Sequence, residues 1–299
     1  LAAKMGYKTL VIVHTIALRD QWAKEVEKCF GIKPGIIGSG QFNLDSPIVL
    51  GNIQTIRKRV PKLIEEFGTV LVDECHHTPA ATFTDVLNKI KATVKIGLSG
   101  TLQRKDNRHV VLKDYFGFDL HQPPVENSMK PEVYILKTGI FFSSNRNMPW
   151  ALRVNDLVKR DDYKQLVADV AQTQAIKGHK VLVVGDRVQF LEDIAKLCGS
   201  NAMVITGKTE NRDEMLKSID IDKDILCGSI SIFSEGISLN SLSCLVLATP
   251  INNEPMLTQL IGRIIRLKEG KMTPEVIDLN LKGSTANNQA TARAGLYLK

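Results

Sequence analysis

The stretch VLVDECHHTP, residues 70–79, sets two carboxylates, a thiol and two imidazoles directly behind an apolar run. Two chemistries compete for it. Asp73 and Glu74 side by side suit a hard cation such as Mg2+, which takes oxygen ligands and keeps several waters. One carboxylate can hold the ion through water while the other orients or deprotonates an attacking water, the division of labour in phosphoryl transfer to water. Cys75, His76 and His77 offer softer donors for zinc, but consecutive side chains point apart and no second Cys/His cluster follows. A merely solvated strand end also stays open, since Asp-Glu-x-His arises by chance in about 2% of chains this long at average residue usage.

Other stretches decide between them. LSGT (98–101), FSEGISL (233–239) and QLIGRIIR (259–266) each fall at a junction between an expected strand and helix. Gln-x-x-Gly-Arg-x-x-Arg is about ten-fold rarer by chance than the acidic motif at the same usage.

The elements that must position these residues show as short, nearly continuous apolar runs, the pattern of strands covered on both faces. In the first half they are 9–13, 47–53, 69–74 and 95–100, with helices expected between them. Leu18, Trp22, Val26 and Phe30 recur every four residues along one helix face, and helices are expected over 55–67 and 80–91. Alternating strand and helix implies a parallel sheet with crossover helices. The stretch 119–132, with three prolines, reads as a linker, and 143–150 as a second irregular patch. The alternation then resumes, with strands at 180–184, 202–206, 224–229, 244–250 and 275–279. Helices are expected over 161–177, 188–197, 210–219 and 254–266. The expected fold class is α/β, the same layout used twice: domain 1 over 1–120, a linker over 121–132, domain 2 over 133–282 and a polar, mobile tail over 283–299.

Bulk properties agree. The chain has 299 residues, 43% of them hydrophobic and 24% charged, enough for two cored domains at ~150 residues each. No apolar run is long enough to span a bilayer. The five cysteines are scattered without Cys-x-x-Cys spacing, as expected of a reduced protein in a cytoplasm. A net charge of +7 fits a polyanionic partner, although a mildly basic surface needs no partner at all. RKR (57–59) and RKDNRH (104–109) could meet phosphates or simply be solvated.

In this order the motifs resemble the superfamily 2 DEXH-box helicases and translocases, in the XPB-like and type III restriction motor group that includes phage UvsW-type helicases. The resemblance covers roughly residues 1–282. It implies two tandem RecA-like domains with ATP and Mg2+ in the cleft between them, and nucleic acid, DNA rather than RNA, as the partner. By the same resemblance Asp73 serves Mg2+ and Glu74 is the base for the attacking water. His76 couples the nucleotide site to the other domain, through Gln259. Glu235 and Gly236 lie near nucleotide, and Arg263 and Arg266 reach the γ-phosphate. HTIALRDQW (14–22), with Thr15 and Arg19, and GNIQTI (51–56), with Gln54 and Thr55, match elements that touch the nucleic-acid backbone. Ser99 and Thr101 link hydrolysis to strand movement.

The sequence departs from that pattern in places. His14 stands where the family has Pro, and Ser238 where it has Asp. The loop Gly-x-x-x-x-Gly-Lys-Ser/Thr, which cradles phosphates, does not occur. The opening LAAKMGYK, beginning at Leu1, reads as the last turns of the helix behind such a loop. The chain is therefore expected to be a fragment, inactive alone, of an ATP-driven helicase or double-strand translocase of recombination or repair. A non-catalytic nucleic-acid-binding module and the motor subunit of a restriction complex are the alternatives.

Overall fold

The computed structural model describes residues 4, 6–77, 81–100, 110–121, 128–209, 212–234, 239–251 and 253–298. The chain divides into two units, Leu1–Gln122 and Pro123–Lys299.

The first unit runs β1 (Thr9–Val13), α1 (Ile16–Phe30), β2 (Gly35–Gly38), β3 (Gln41–Phe42), β4 (Ile48–Asn52), α2 (Ile53–Arg59), β5 (Thr69–Val72), α3 (Ala81–Lys89), β6 (Val94–Gly97) and α4 (Val110–Phe116). Its sheet has the order β3-β2-β4-β1-β5-β6. Pairing is parallel except in the hairpin β2–β3. That hairpin turns on Ser39 and Gly40, both with positive φ, the backbone that matches strand twist in a two-residue loop. Along β1, Leu10 and Ile12 enter one apolar cluster while Val11 and Val13 enter another. A strand buried on both faces must read as an unbroken apolar run.

The second unit runs β7 (Glu132–Phe141), α5 (Trp150–Val158), α6 (Asp161–Ile176), β8 (Val181–Gly185), α7 (Val188–Cys198), β9 (Ala202–Ile205), α8 (Arg212–Ile221), β10 (Ile225–Ser229), α9 (Ile230–Ser234), β11 (Cys244–Leu247), α10 (Glu254–Ile264), β12 (Glu275–Lys282) and α11 (Ser284–Tyr297). Its sheet is parallel throughout, in the order β7-β12-β11-β8-β10-β9. Val181 and Val183 of β8 pack into one cluster, Leu182 and Val184 into the other. Among the described residues no helix is long and apolar enough to cross a membrane.

Several expected elements come out differently. The helix expected over 55–67 ends at Arg59, because Pro61 cannot continue it, and a 3-10 turn spans Val60–Lys62. Phe30, expected on the buried face of α1, is 52% exposed. Residues 128 and 129, expected within the linker, are bonded to the second unit: Ser128 bridges Arg266, and Met129 N donates to Ile265 O at 2.8 Å. The expected mobile tail is the helix α11. It buries Ala286, Gln289 and Arg293, and Arg293 forks onto the buried Asp278 of β12 with two bonds of 2.7 Å.

Candidate active site

Parallel pairing brings the carboxyl ends of β1, β4, β5 and β6 to one edge. Val13 stands beside Asn52, Ile12 beside Val72, and Val72 beside Gly97. Functional groups of α/β sheets collect at that edge, and the DECH stretch leaves β5 there. Asp73 N still donates to Ile12 O at 3.0 Å, and Cys75 N donates to Leu98 O at 2.8 Å. Between these anchors Glu74 adopts φ +49°. A left-handed backbone at a residue other than glycine costs of order 1–3 kcal/mol and persists where its surroundings enforce it.

Cys75 supplies the enforcement. It is 2% exposed, and a Cβ on Gly97 would stand 2.8 Å from its Sγ. Burial first, then the neighbouring Glu74 and Asp73, pushes its thiol up to about 11. Its side chain is turned into the core against Gly97, which places it for packing rather than for a metal.

Glu74 and His76 converge instead. Glu74 Oε2 lies 3.1 Å from His76 Nδ1, but this contact lacks hydrogen-bond geometry, so the buried oxygen has no hydrogen-bond partner among the described residues. His76 Nδ1 is 2.9 Å from Ser99 Oγ, which joins the DECH loop to the start of SGT. Asp73 is held at both oxygens. Oδ1 accepts from Glu74 N at 3.0 Å and Oδ2 accepts from the Trp22 indole Nε1 at 2.7 Å. Two adjacent carboxylates, one with an orphaned buried oxygen, make a donor set that fits Mg2+. The sequence placed Trp22 on the apolar face of its helix. The signal for more was its N–H, because a buried indole usually finds a polar partner.

The candidates for nucleic-acid contact divide. Gln54 is exposed and Thr55 half-buried in the first turn of α2. Thr15 caps α1, its hydroxyl accepting from Leu18 N at 3.2 Å. Arg19 turns inward and is 6% exposed. Its guanidinium binds Asp20 at 2.8 Å, Ser39 at 3.1 Å and Asn52 at 3.2 Å. That network crosses Gly38, where a Cβ would stand 2.6 Å from the arginine Nη1. Arg19 therefore fastens the hairpin and the end of β4 to α1, and does not project toward a strand. Thr101, Glu235 and Gly236 lie outside the described residues.

In the second unit Asn253 caps α10 through Met256 N, and Leu257, Leu260 and Ile264 bury one face. Gln259 and Arg263 stay half-buried. Arg263 Nε donates to Phe233 O at 2.9 Å, which ties α10 to the last turn before SEGISL. The helix ends at Ile264, so Arg266, expected on the same helical face as Arg263, lies beyond it. There its backbone pairs with Ser128 and its carbonyl accepts from Lys271 Nζ at 2.8 Å.

Comparison with known proteins bears on both units. Residues 1–104 match the family model of the type III restriction enzyme res subunit, and residues 159–268 that of the helicase conserved C-terminal domain. A probable helicase of Escherichia phage T5 is 46% identical over 99% of this chain and 67% of its own length. An ATP-dependent DNA helicase, uvsW, of Enterobacteria phage T4 is 23% identical over 94% of this chain, which spans 62% of that protein. The fold resembles that of Saccharomyces cerevisiae Dbp5 bound to RNA and ADP BeF3, with a TM-score of 0.67 at 12% identity over 97% of this chain and 75% of that one. Each sheet with its flanking helices is thus a RecA-like domain. The chain belongs to the superfamily 2 helicases of the XPB and type III restriction type, a family of ATP-dependent nucleic-acid helicases and translocases.

Proposed function

We propose that this chain is the motor core of a DNA helicase or double-strand translocase of recombination or repair. ATP hydrolysis drives it. The observation that carries this reading is the Asp73–His76 loop. It sets two carboxylates at the carboxyl edge of the sheet, the second in a left-handed backbone with an unbonded buried oxygen beside His76.

Asp73, oriented by Trp22, is the group that would hold Mg2+ through water, with Glu74 close by. When bound, the ion would neutralise charge on the phosphates of ATP. Glu74 accepts the proton of the attacking water, its carboxylate held beside His76. His76 and Ser99 relay the state of that loop to the segment after β6. Gln259 of the second unit, with the SEGISL motif ahead of it, is assigned to the nucleotide step on its motif alone. Arg263 and Arg266 stabilise charge that grows on the transferring phosphoryl group, an effect worth roughly 10³–10⁵ in rate for an arginine so placed. Gln54, Thr55, Thr15 and Ser99 are the candidates for the strand-facing edge of the first unit, and Arg19 holds part of that edge in place. The name of the phage T4 relative, a DNA helicase, supports DNA as the partner.

The test is ATPase activity of the full-length protein with and without DNA. Glu74→Gln keeps size and fold but removes the base, so DNA-stimulated turnover should vanish. Full turnover by that variant would refute the assignment.

A further inference from the structure

The second unit carries an open cleft of about 380 Å³ between α5, the loop 143–149 ahead of it and α11. It lies past the carboxyl ends of β7 and β12, far in sequence from every motif used above. Arg146, Arg153, Ser284, Thr285, Asn288, Gln289 and Ala292 line it, so among the described residues two guanidinium groups face it and no carboxylate does.

Two surface arginines alone would be ordinary solvated charge. Three observations separate this cleft from that case. Arg153 packs its guanidinium over the Trp150 ring at 5.3 Å and reaches Thr285 Oγ1 at 3.4 Å, yet its buried Nε has no hydrogen-bond partner among the described residues. Gln289 is 8% exposed, and its buried Oε1 is equally without a partner among the described residues. Buried polar groups are nearly always paired, and an exception calls for a ligand or a role. A half-turn of the amide exchanges its donor and acceptor ends, so Gln289 can serve an oxygen-rich ligand. The first turn of α11, which also lines the cleft, contains no acidic residue, so the positive end of the helix is not neutralised from within. The scaffold is firm: Arg187, just past the end of β8, donates Nε to Asn155 of α5 at 2.7 Å.

We propose that this cleft holds a phosphate group, supplied by the backbone of the nucleic-acid strand on which the motor runs. The strand as source rests on the proposed function. Inorganic phosphate offers the same chemistry and serves as the second probe.

The experiment uses the full-length protein, a labelled single-stranded DNA oligonucleotide and inorganic phosphate. Arg146 and Asn288 are both exposed, so Arg146→Ala and Asn288→Asp should melt as the wild type does. Binding of the oligonucleotide is followed by anisotropy across salt concentrations. Loss of one phosphate contact should weaken binding several-fold and flatten the salt slope by about 0.7, and Asn288→Asp should weaken binding as well. Phosphate should raise the melting temperature of the wild type at constant ionic strength, and raise it less in either variant. Wild-type binding that both variants retain with an unchanged slope overturns the strand contact while leaving the motor reading intact. A phosphate effect lost in the variants with strand binding unchanged assigns the cleft to a free anion and overturns the strand as its source. A wild type that binds no DNA refutes the motor reading and, with it, the strand source. A melting temperature indifferent to phosphate in every variant overturns the anion site itself.

Discussion

Trp22→Phe tests how far the carboxylate at the centre of the site depends on a residue from another element. Phenylalanine keeps an aromatic ring against Val11, Val13, Leu18 and Leu50, the cluster on which Trp22 packs. It removes the N–H together with the five-membered ring that carries it, so some packing against the cluster is lost as well. In the structure that N–H donates to Asp73 Oδ2 at 2.7 Å, and the other oxygen is held by Glu74 N at 3.0 Å. The variant therefore loses one of the two bonds that orient the carboxylate. Removing an outer-shell partner of a metal ligand typically costs about 10–100-fold in metal affinity, or about 1.4–2.7 kcal/mol at 1.36 per decade. A hydrogen bond to a charged group is worth about 1.5–3 kcal/mol, so two independent routes give one size. The assay is DNA-stimulated ATPase of the full-length protein, titrated against free Mg2+ at saturating ATP. Half-saturation should move up about 10–100-fold, with the maximal rate within a few-fold of wild type. A lowered melting temperature with unchanged Mg2+ dependence would show that Trp22 only packs, and would refute the reasoning.

Further predictions address stability and reactivity. Arg293→Ala leaves the Asp278 carboxylate, 2% exposed, without its cation. Breaking such a pair costs about 3–5 kcal/mol, so the melting temperature of the second unit should drop by roughly 6–20 °C; a drop of a degree or less would contradict the buried pairing. Thiol labelling of the native protein should modify Cys29 alone, because Cys75, Cys198, Cys227 and Cys244 are buried and burial pushes the Cys75 and Cys198 thiols up to about 11; labelling of Cys75 at neutral pH would refute the placement of the DECH loop. Burial first, then Arg266 and Lys268, pulls Lys271 down to about 8 from 10.5, so between those values the unfolded chain binds more protons and stability should rise with pH. Lys271→Gln should flatten that rise, and an equal slope in the variant would show that another group causes it.

The strands were legible because every central one is apolar on both faces, and the helices between them followed from crossover connections. What escaped was structure held by polar contacts. In α11, Ala286, Gln289 and Arg293 are the buried residues, at the i, i+3, i+7 spacing of a helix face. Two of the three are polar, so a search for an apolar stripe passes over them. The signal lay elsewhere, in β12. Asp278 stands in the middle of EVIDLNLK, a strand buried at Val276, Ile277, Leu279 and Leu281. A carboxylate so placed requires a cation from an adjoining element, and the supposed tail carries one in Arg293. Arg19 carried a similar hint. It is three residues from Trp22 and seven from Val26, which puts it on the inward face of α1, where a guanidinium must bond within the protein.

The DECH loop shows why motif and core cannot be read apart. Cys75 reads, with His76 and His77, as a soft metal donor, yet its contribution is volume. Its side chain fills the space that Gly97 leaves open against Phe116, and its N–H is fixed to Leu98 O while Asp73 N is fixed to Ile12 O. With both neighbours anchored, one residue must span the gap, and Glu74 does so through a left-handed backbone. The same geometry sets its carboxylate beside His76. A larger side chain at position 75 would be expelled from beneath β6, and a side chain at Gly97 would clash with the sulfur. Either change would release Glu74 to an ordinary backbone and turn its carboxylate away from His76. The spacing of the acidic motif is therefore a constraint on packing as much as on chemistry, since the Glu74 carboxylate is aimed by the residue that follows it.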